Sequence, residues 1–558
     1  MRIVYRTHLV RCPDCDSKLK AYRTRTRRVI SVEYGLFEAV HRIRKCGKCN
    51  RLFRSDALDD LIGPYCTYSN DVMVDAAMKR FIDGRSCPEI TPFTGISERQ
   101  ARNLSNMALD IMTDIHVERL PELRKAVSSY ILQIDGTVDS DFALIVVVRD
   151  AKSGFTLYSE RCFSESEENM TRVLEKVKKR FGMPSGSISD MRAGILKAIV
   201  KVFPGIPVRI CLLHFLRDLG KDLMQDLHTD LGIMINRAGI KSEIRAILRE
   251  LPEYHTASLL ELEDGFCSDR EKMEIMGIRR ILETFSSHTG SSGYGFPFSL
   301  KHFNFYNASV QAMSELNELE NAARDQHALS VIAGIKSLLA GITDNMEIRH
   351  TASGIGGINA LFQGFRKAFH LPEKGDLSTD AGKDDPVHES CGIFIGQLRE
   401  ILRSGAPVHE MEAAKQMISA YEKWENHLFA QNPEGTIPRT NNSLEQLFRR
   451  IRRNVRKRCG NIATGRYLSL NGDRMAIFQN LAIPEYRKAV FGSEDIASVF
   501  GRHRKSSRGN GMSRNMIIRL VDRGRSALIS GTLRSDPFSE EMMEAACETR
   551  KRESISGN

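Results

Sequence analysis

Two closely spaced cysteine pairs, Cys12 with Cys15 and Cys46 with Cys49, constrain the first fifty residues more than any other feature of the sequence. Four thiolates are a ligand set of structural zinc sites, and each C-x-x-C turn supplies two of them. Two alternating stretches between the pairs are typical of a β-hairpin. A segment this short cannot build a sufficient core alone, so the pattern predicts a zinc ribbon. A redox-active pair is the alternative.

Length and composition indicate a multidomain globular protein. A chain of 558 residues exceeds the size at which one core stops growing, so about two to four domains are expected. Hydrophobic residues make up 41% and charged residues 27%, which excludes the disordered and fibrous classes. The N-terminal residues lack an apolar signal core and no run of about eighteen apolar residues occurs, so we expect a cytoplasmic, DNA-associated protein without membrane contact. The other cysteines are scattered singly, as in a reducing compartment.

The formal net charge of +11 is concentrated in two places. Residues 1–55 hold fifteen Lys and Arg against four acids, and residues 441–458 hold seven against one. Charge that served solubility alone would be interspersed with acids. The segregation therefore favours a polyanion bound at two defined places, and double-stranded DNA is the partner we expect.

The segment 70–115 has helical periodicity, with a capping-box pattern that starts at Ser97. If the segment is a helix-turn-helix, the helix after Ser97 would lie in the major groove of DNA. Arg99, Arg102 and Asn103 would then face the bases. A plain connecting helical bundle is the alternative.

From about residue 129 the pattern changes to short apolar strands and amphipathic helices. The pattern predicts strands at 130–134, 142–148 and 155–163, followed by a helix at 167–181 and a strand ending at Asp190. A helix at 194–203, a strand at 207–211 and a helix at 214–227 come next. This order is typical of a mixed α/β sheet.

Most of residues 230–430 have a helical pattern, interrupted by Gly-, Ser-, Pro- and Asp-rich breaks at 286–297 and 371–387. A further amphipathic helix is predicted at about 441–458. The basic, Gly- and Ser-rich stretch 501–515 fits either a mobile linker or an arm that contacts phosphates.

Three acids far apart in the sequence, Asp135, Asp190 and Glu445, stand out as candidate metal ligands. The two aspartates each end an apolar strand, which is where α/β sheets place functional groups. Glu445 begins a row of basic residues on one stripe of its predicted helix. That row comprises Arg449, Arg452 and Arg456. Carboxylate oxygens suit Mg²⁺, or Mn²⁺, and two such ions can clamp the attacking and leaving oxygens of a phosphoryl transfer.

Each acid also has a purely structural interpretation. Asp135 with the following glycine could form a turn, and Asp190 could cap the next helix. Glu445 could be a surface acid paired with Arg449. Three nearby acids are interpreted as loop and strand-edge residues: Asp139, Asp141 and Asp150.

Three segments resemble the DDE transposases with an RNase-H-like core, especially the Mutator-type and related prokaryotic insertion-sequence enzymes. They are IDGT at 134–137, the stretch 189–219 that begins SDMRAG, and TNNSLEQLFRRIRRNVRKRCG at 440–460. The resemblance implies that Asp135, Asp190 and Glu445 form a catalytic triad that holds two Mg²⁺ or Mn²⁺ ions. It also implies cleavage at transposon ends followed by attack of a 3′-hydroxyl on target DNA.

The resemblance extends to a C-x-x-H element formed by Cys211 and His214, which follows the fifth strand in Mutator-type cores. We expect either a role near the site or simple core packing for these two residues. Asp218 departs from the Mutator-type pattern, in which an asparagine often follows the arginine, and this leaves the subfamily open. Because two transposon ends must be paired, a homodimer or higher oligomer is expected on DNA.

Together these features predict a multidomain α+β protein in six segments. They are a zinc ribbon that binds DNA (1–56), a helix-turn-helix-like DNA-binding module (57–125), the first part of an RNase-H-like mixed α/β core (126–230), an all-helical insertion (231–430), the second part of the core with the Glu445 helix (431–490) and a basic tail (491–558). An active transposase acting on terminal inverted repeats and target DNA is the first functional hypothesis. A transposase-derived DNA-binding protein without catalysis, and an RNase-H-like nuclease without strand transfer, are the alternatives.

Overall fold

The computed structural model describes residues 1–63, 66–137, 144–253, 269–287, 295–371, 384–430, 436–460 and 464–506. The chain forms two compact units, and the first is made of two separate stretches, Met1–Val208 and Asn441–Asn558. The second unit is Arg209–Thr440. The predicted acids Asp139 and Asp141, the start of the predicted strand at 142, and most of the two breaks and of the basic tail lie outside the described residues.

The first unit begins with a mixed four-stranded sheet. Its strands are β1 (Arg2–Arg6), β2 (Leu19–Ser31), β3 (Gly35–Cys46) and β4 (Leu52–Phe53). β3 is central: it pairs parallel with β1 and antiparallel with β2 and β4. The predicted hairpin is thus confirmed as β2–β3. One end of the sheet buries a small core made of Val29, Phe37, Ala39, Leu58 and Ile62.

Five helices follow this sheet: α1 (Ala57–Leu61), α2 (Asn70–Phe81), α3 (Cys87–Thr94), α4 (Glu98–Glu118) and α5 (Leu120–Ala126). Ser97 caps α4, because its side chain accepts a hydrogen bond from the backbone N–H of Gln100. The apolar stripe predicted for this segment is buried: Ile96, Ala101, Leu104, Ala108 and Ile111. α4 packs against α2 and α3 through this stripe.

A second mixed sheet forms the centre of the first unit. Its strands are β5 (Ile131–Thr137), β6 (Leu144–Asp150), β7 (Thr156–Cys162), β8 (Gly186–Ser189) and β9 (Val208–Ile210). The order across the sheet is β7-β6-β5-β8-β9. β5, β6 and β7 form an antiparallel meander, whereas β8 runs parallel to β5. The strand and helix order predicted for this region is therefore observed.

Helices pack on the second sheet or against the helices beside it. They are α6 (Glu167–Phe181) and α7 (Ala193–Val202) from the middle of the chain, and α16 (Asn442–Cys459), α17 (Gly465–Phe478), a 3₁₀ turn (Gln479–Ala482), α18 (Pro484–Phe491) and α19 (Ile496–Ser506) from its later part. α17 packs against β6 and β7. Residues 442–491 therefore complete a core that residues 131–202 begin.

The second unit is helical throughout its described residues after β9. Its helices are α8 (Leu212–Arg237), α9 (Ile240–Glu250), α10 (Arg270–Ser287), α11 (Lys301–Ala322), α12 (Gln326–Thr343), α13 (Met346–Ala368), α14 (Asp385–Ile401) and α15 (Val408–Leu428). α13 packs against α8 and α15, with apolar residues at helical spacing buried between them. Among the helices of the described ranges, none is both long enough and apolar enough to cross a bilayer.

Candidate active site and metal centres

The sheet topology brings Asp135 and Asp190 to neighbouring strand ends. β5 and β8 are parallel, with Gln133 opposite Ile188, and each aspartate lies two residues further along its own chain segment. Both aspartates are buried, at 7% and 5% exposure. The backbone N–H of Gly136 donates to Asp135 Oδ1 (2.8 Å), and that of Arg192 donates to Asp190 Oδ1 (3.2 Å). The two carboxylates are therefore fixed at one edge of the sheet.

The start of α16 is attached to the same strand by side-chain hydrogen bonds. Ser443 Oγ donates to Gln133 Oε1 (3.0 Å), and Asn441 Nδ2 donates to the carbonyl of Ile134 (3.4 Å). From β6, Arg149 Nη1 donates to the carbonyl of Ser443 (2.9 Å). These bonds hold the first turn of α16, which carries Glu445, against β5, the strand that contains Asp135.

Asp135 is influenced by the charges of both other acids. Burial, the negative charge of Asp190 and the negative charge of Glu445 together raise the pKa of Asp135 to about 8. The Gly136 hydrogen bond and the positive charge of Arg192 act in the opposite direction. The structure thus places Asp135 and Asp190 at neighbouring strands and Glu445 within electrostatic range of Asp135. That the three acids act as one site stays a prediction from the sequence.

The donor type of these residues suits a divalent cation, although their oxygens are not among the ligand groups of the described residues that lie within 4.8 Å of one another. Three carboxylates supply the hard oxygen ligands that Mg²⁺ and Mn²⁺ prefer. The raised pKa of Asp135 reflects mutual repulsion in a buried setting, and a cation held between the carboxylates would relieve it.

α16 has the two faces that its sequence predicted. The apolar stripe is buried throughout: Leu444, Leu447, Phe448, Ile451 and Val455. Arg449 and Arg456 are exposed, and Arg452 is half-buried. The helix therefore presents guanidinium groups along the stripe that Glu445 begins.

Two residues that the sequence analysis did not single out, Glu165 and Arg192, also belong to this region. Arg192 Nε lies 3.1 Å from Asp190 Oδ2, and its Nη1 forms an ion pair with Glu165. Glu165 lies just before α6 and its side chain is only 8% exposed. The available sequence signal was weak: an arginine two residues after a strand-end aspartate, and an acid before a helix.

The four cysteines of the two predicted pairs converge. The Sγ atoms of Cys12, Cys15, Cys46 and Cys49 all lie within 4.8 Å of one another. Cys12 and Cys49 are 3.5 Å apart, and Cys15 and Cys46 are 3.4 Å apart, measured between sulfurs. Four thiolates at these distances can hold one metal ion, and the set is compatible with a zinc ribbon.

The two cysteine turns have similar local conformations. The residue after each second cysteine, Asp16 or Asn50, has a positive φ (53° and 60°), a conformation that Asp and Asn tolerate better than most residues. Hydrogen bonds from the backbone and hydroxyl of Ser17 lower the pKa of the Cys15 thiol to about 6, and hydrogen bonding to Cys46 acts in the same direction. Cys15 is therefore poised as the thiolate, which is the form that binds metal.

The first sheet presents a basic face beside this cluster. In its register Arg2 and Arg28 both lie opposite Glu38, and Arg6 lies opposite Arg42. Cross-strand partners point to the same side of a sheet, so the four arginines share one face, and all four are exposed. Glu38, the acid on this face, is paired with Arg2 at 3.1 Å. These four arginines, on strands β1 to β3, make this face positively charged, and we refer to it as the ribbon of the first sheet.

The three residues predicted to read DNA from α4 are accessible. Arg99, Arg102 and Asn103 are all exposed near the start of that helix. They lie on the opposite side of α4 from its buried stripe. This placement is what a DNA-contacting helix needs, and it is equally compatible with a plain helical bundle.

Cys211 and His214 lie in the second unit. Cys211 is fully buried and caps the start of α8, and His214 is half-buried on the first turn of that helix. Their relation to the three acids of the first unit remains an expectation from sequence.

The second unit holds another group of potential ligands. Glu271, Asp325 and His327 have ligand atoms within 4.8 Å of one another, and His327 Nδ1 lies 3.2 Å from Glu271 Oε1. Glu271 and His327 are more than half exposed, at 58% and 61%. Asp325 already accepts the backbone N–H of Ala328 as the cap of α12. The group could hold a metal ion, but its contacts are also those of an ordinary helix cap.

Comparison with known proteins gives a distant structural similarity. No protein-family model and no curated protein matches the chain. Among solved structures, the chain is similar to one described as the Drosophila P element transposase strand transfer complex. The similarity covers 78% of this chain and 94% of that one, at 10% sequence identity and a TM-score of 0.28.

Proposed function

We propose that the chain is a DNA transposase of the DDE type, which binds the ends of its element and cleaves and transfers DNA strands. The observation that carries the proposal is the placement of Asp135 and Asp190 at neighbouring strands of the second sheet, with Glu445 on a helix attached to β5. The sheet order and the helix that follows β8 also support an RNase-H-like core.

The chemistry would be hydrolysis and transfer of phosphodiesters. Two Mg²⁺ or Mn²⁺ ions held by the three carboxylates would supply Lewis acidity and lower the pKa of a bound water. Asp135 and Asp190 are buried and hydrogen-bonded to backbone N–H groups, so they offer oxygens in fixed directions. Glu445 is carried on the first turn of a helix attached to β5, from which its carboxylate would act with the two aspartates. No side-chain nucleophile is required in this scheme.

The basic surfaces would bind the DNA. The arginines of α16 would contact phosphates beside the three acids: Arg449, Arg452 and Arg456. The ribbon of the first sheet, stabilised by a structural Zn²⁺ at the four cysteines, would recognise the element ends. A two-stranded ribbon or a helix can enter the major groove, so α4 with Arg99, Arg102 and Asn103 is a second candidate for base contacts. Pairing of two ends predicts at least a homodimer on DNA.

The proposal is tested by nicking of a supercoiled plasmid that carries the DNA flanking the chain's own gene. The native protein is compared with Glu445→Gln and with Glu168→Gln, an exposed acid on the first turn of α6. Mg²⁺ or Mn²⁺ is added to or omitted from metal-depleted buffer. A chelator is avoided, because it would also strip the cysteine cluster.

We expect discrete, metal-dependent cuts that Glu445→Gln reduces at least about 1,000-fold and that Glu168→Gln leaves unchanged. Tight binding of the flanking DNA with no cutting by the native protein would instead support the DNA-binding protein without catalysis. Cutting without joining of the new 3′ ends to a second DNA would support the nuclease without strand transfer.

A further inference from the structure

Glu165 is a buried acid, and its cationic partner among the described residues is Arg192. Both carboxylate oxygens are buried, and no hydrogen-bond donor in the described part of the chain satisfies them; their compensation is the ion pair with Arg192. An ionised carboxylate is costly to bury without a partner. The ion pair is therefore required wherever Glu165 is ionised.

Two glycines allow Glu165 to occupy this position. A Cβ atom on Gly136, the residue after Asp135, would collide with Glu165 Oε1 and with Leu144. A Cβ atom on Gly194, in the first turn of α7, would collide with the carbonyl oxygen of Glu165. The close approach at Gly136 seats the Glu165 carboxylate against β5, beside the residue that follows Asp135, and the close approach at Gly194 seats the Glu165 backbone against the start of α7. Arg192 joins this carboxylate to Asp190.

Arg192 contacts two carboxylates, and the rest of its side chain is exposed to solvent. Its backbone N–H donates to Asp190 Oδ1, its Nε lies 3.1 Å from Asp190 Oδ2, and its Nη1 meets Glu165. Its side chain is nevertheless 55% exposed. A guanidinium has five N–H donors in a rigid planar fork, so these contacts leave donors that face solvent.

We propose that Arg192 binds a phosphate of the DNA strand at the acidic site and that Glu165 positions it for this contact. This inference rests on the proposed function. When Asp190 binds a metal ion, Arg192 loses that partner, but buried Glu165 still requires it. The guanidinium therefore stays beside the metal-binding carboxylates, with its remaining N–H groups available for a phosphate, the group whose geometry it matches.

The test uses a variant that keeps the charge of the site. Arg192→Gln alone would leave Glu165 unpaired and could unfold the protein, so Glu165→Gln is combined with it. The double variant removes one negative and one positive charge together. The control is Arg172→Gln: Arg172 is 45% exposed and pairs with Glu160, which also has Lys176 and Tyr158 as partners.

Two measurements are made on zinc-loaded full-length protein: Mn²⁺ affinity without DNA, by electron paramagnetic resonance of free Mn²⁺, and the rate of plasmid nicking at saturating Mn²⁺ and plasmid. We expect the double variant to bind Mn²⁺ within about threefold of native, because the net charge is unchanged. We expect its nicking rate to fall about 10- to 100-fold, which is the size of a lost charge-assisted hydrogen bond. Arg172→Gln should match native in both.

Three results would overturn the inference. Nicking by the double variant at the native rate would show that Arg192 makes no phosphate contact. Mn²⁺ binding weakened more than tenfold, with full nicking restored at high Mn²⁺, would assign the pair to the metal site instead. Absence of nicking by native and Arg172→Gln protein would remove the proposed function and this inference together, a pattern distinct from the other two.

Discussion

The cysteine cluster and the acidic site of Asp135, Asp190 and Glu445 are both groups of like-charged ligands, but they relate to stability in opposite ways. The cysteines sit on tight turns at the ends of β2 and β3, in a sheet with a small core. A metal ion there would supply folding energy. The acids sit on a large core, and burial together with the negative charges of Asp190 and Glu445 raises the pKa of Asp135. A metal-loaded cysteine cluster would thus stabilise its surroundings, whereas we expect the metal-free acidic site to cost stability.

The largest effect expected from this comparison is on the cysteine cluster. Cys46→Ser removes a fully buried ligand whose Sγ also accepts the backbone N–H groups of Lys48 and Cys49. We expect loss of bound zinc and unfolding of the β2–β3 hairpin, at a cost of about 3 kcal/mol or more. Metal analysis of the purified protein and hydrogen exchange of the hairpin amides provide the measurement.

Cys66→Ser is the matched control for this prediction, because Cys66 is partly exposed and lies outside the cluster. It should retain one zinc per chain. Native protein that contains no zinc and keeps a protected hairpin would contradict the structural role of the metal.

For the acidic site we expect the opposite effect on stability: removing one of its ligands should stabilise the protein. Asp135→Asn removes one of three mutually repelling carboxylates, so it should stabilise the metal-free protein while abolishing nicking. At pH 8 we expect a gain of about 2 kcal/mol or more, since each unit of pKa shift corresponds to about 1.4 kcal/mol. Thermal unfolding of metal-free native and variant protein measures it. A destabilised variant would mean that the Asp135 carboxylate is held by net favourable contacts.

The gain should depend on pH in a defined direction. The pKa of Asp135 is about 8 in the folded protein and 3.8 in the unfolded chain. Between these values the folded state binds more protons, so native stability falls as the pH rises from about 4 to about 8 and this contribution is constant above that. The difference in unfolding free energy between Asp135→Asn and native protein should therefore grow from pH 5 to pH 8. A difference independent of pH would exclude titration of Asp135 in this window.

How well the sequence predicts each site depends on how local the site is. The cysteine spacing predicted the cluster because both turns belong to one hairpin. The three acids were singled out because two of them follow apolar strand segments and the third begins an arginine row on a strongly amphipathic helix, and their role as one site stays a prediction. The strand β1 was not predicted, since its pairing with β3 is set by packing rather than by a repeated pattern in five residues. Glu165 was not predicted for a similar reason. Its position depends on close contacts with Gly136 and Gly194, which form only in the folded chain.

The smallest predicted effect concerns the attachment of α16, which the acidic site needs and the cysteine cluster does not. Ser443→Ala removes the hydrogen bond from Ser443 Oγ to Gln133 Oε1. Gln133 is almost fully buried, so its amide oxygen would lose a partner that water cannot easily replace. We expect a loss of about 1 kcal/mol in unfolding free energy and a several-fold slower nicking rate, because Glu445 lies in the same helical turn. Ser498→Ala, which removes an exposed hydroxyl bond to Asp495 in α19, should change neither quantity measurably. The zinc content should be native in both variants. If Ser443→Ala slowed nicking no more than Ser498→Ala does, the position of α16 would be set by its buried apolar stripe alone.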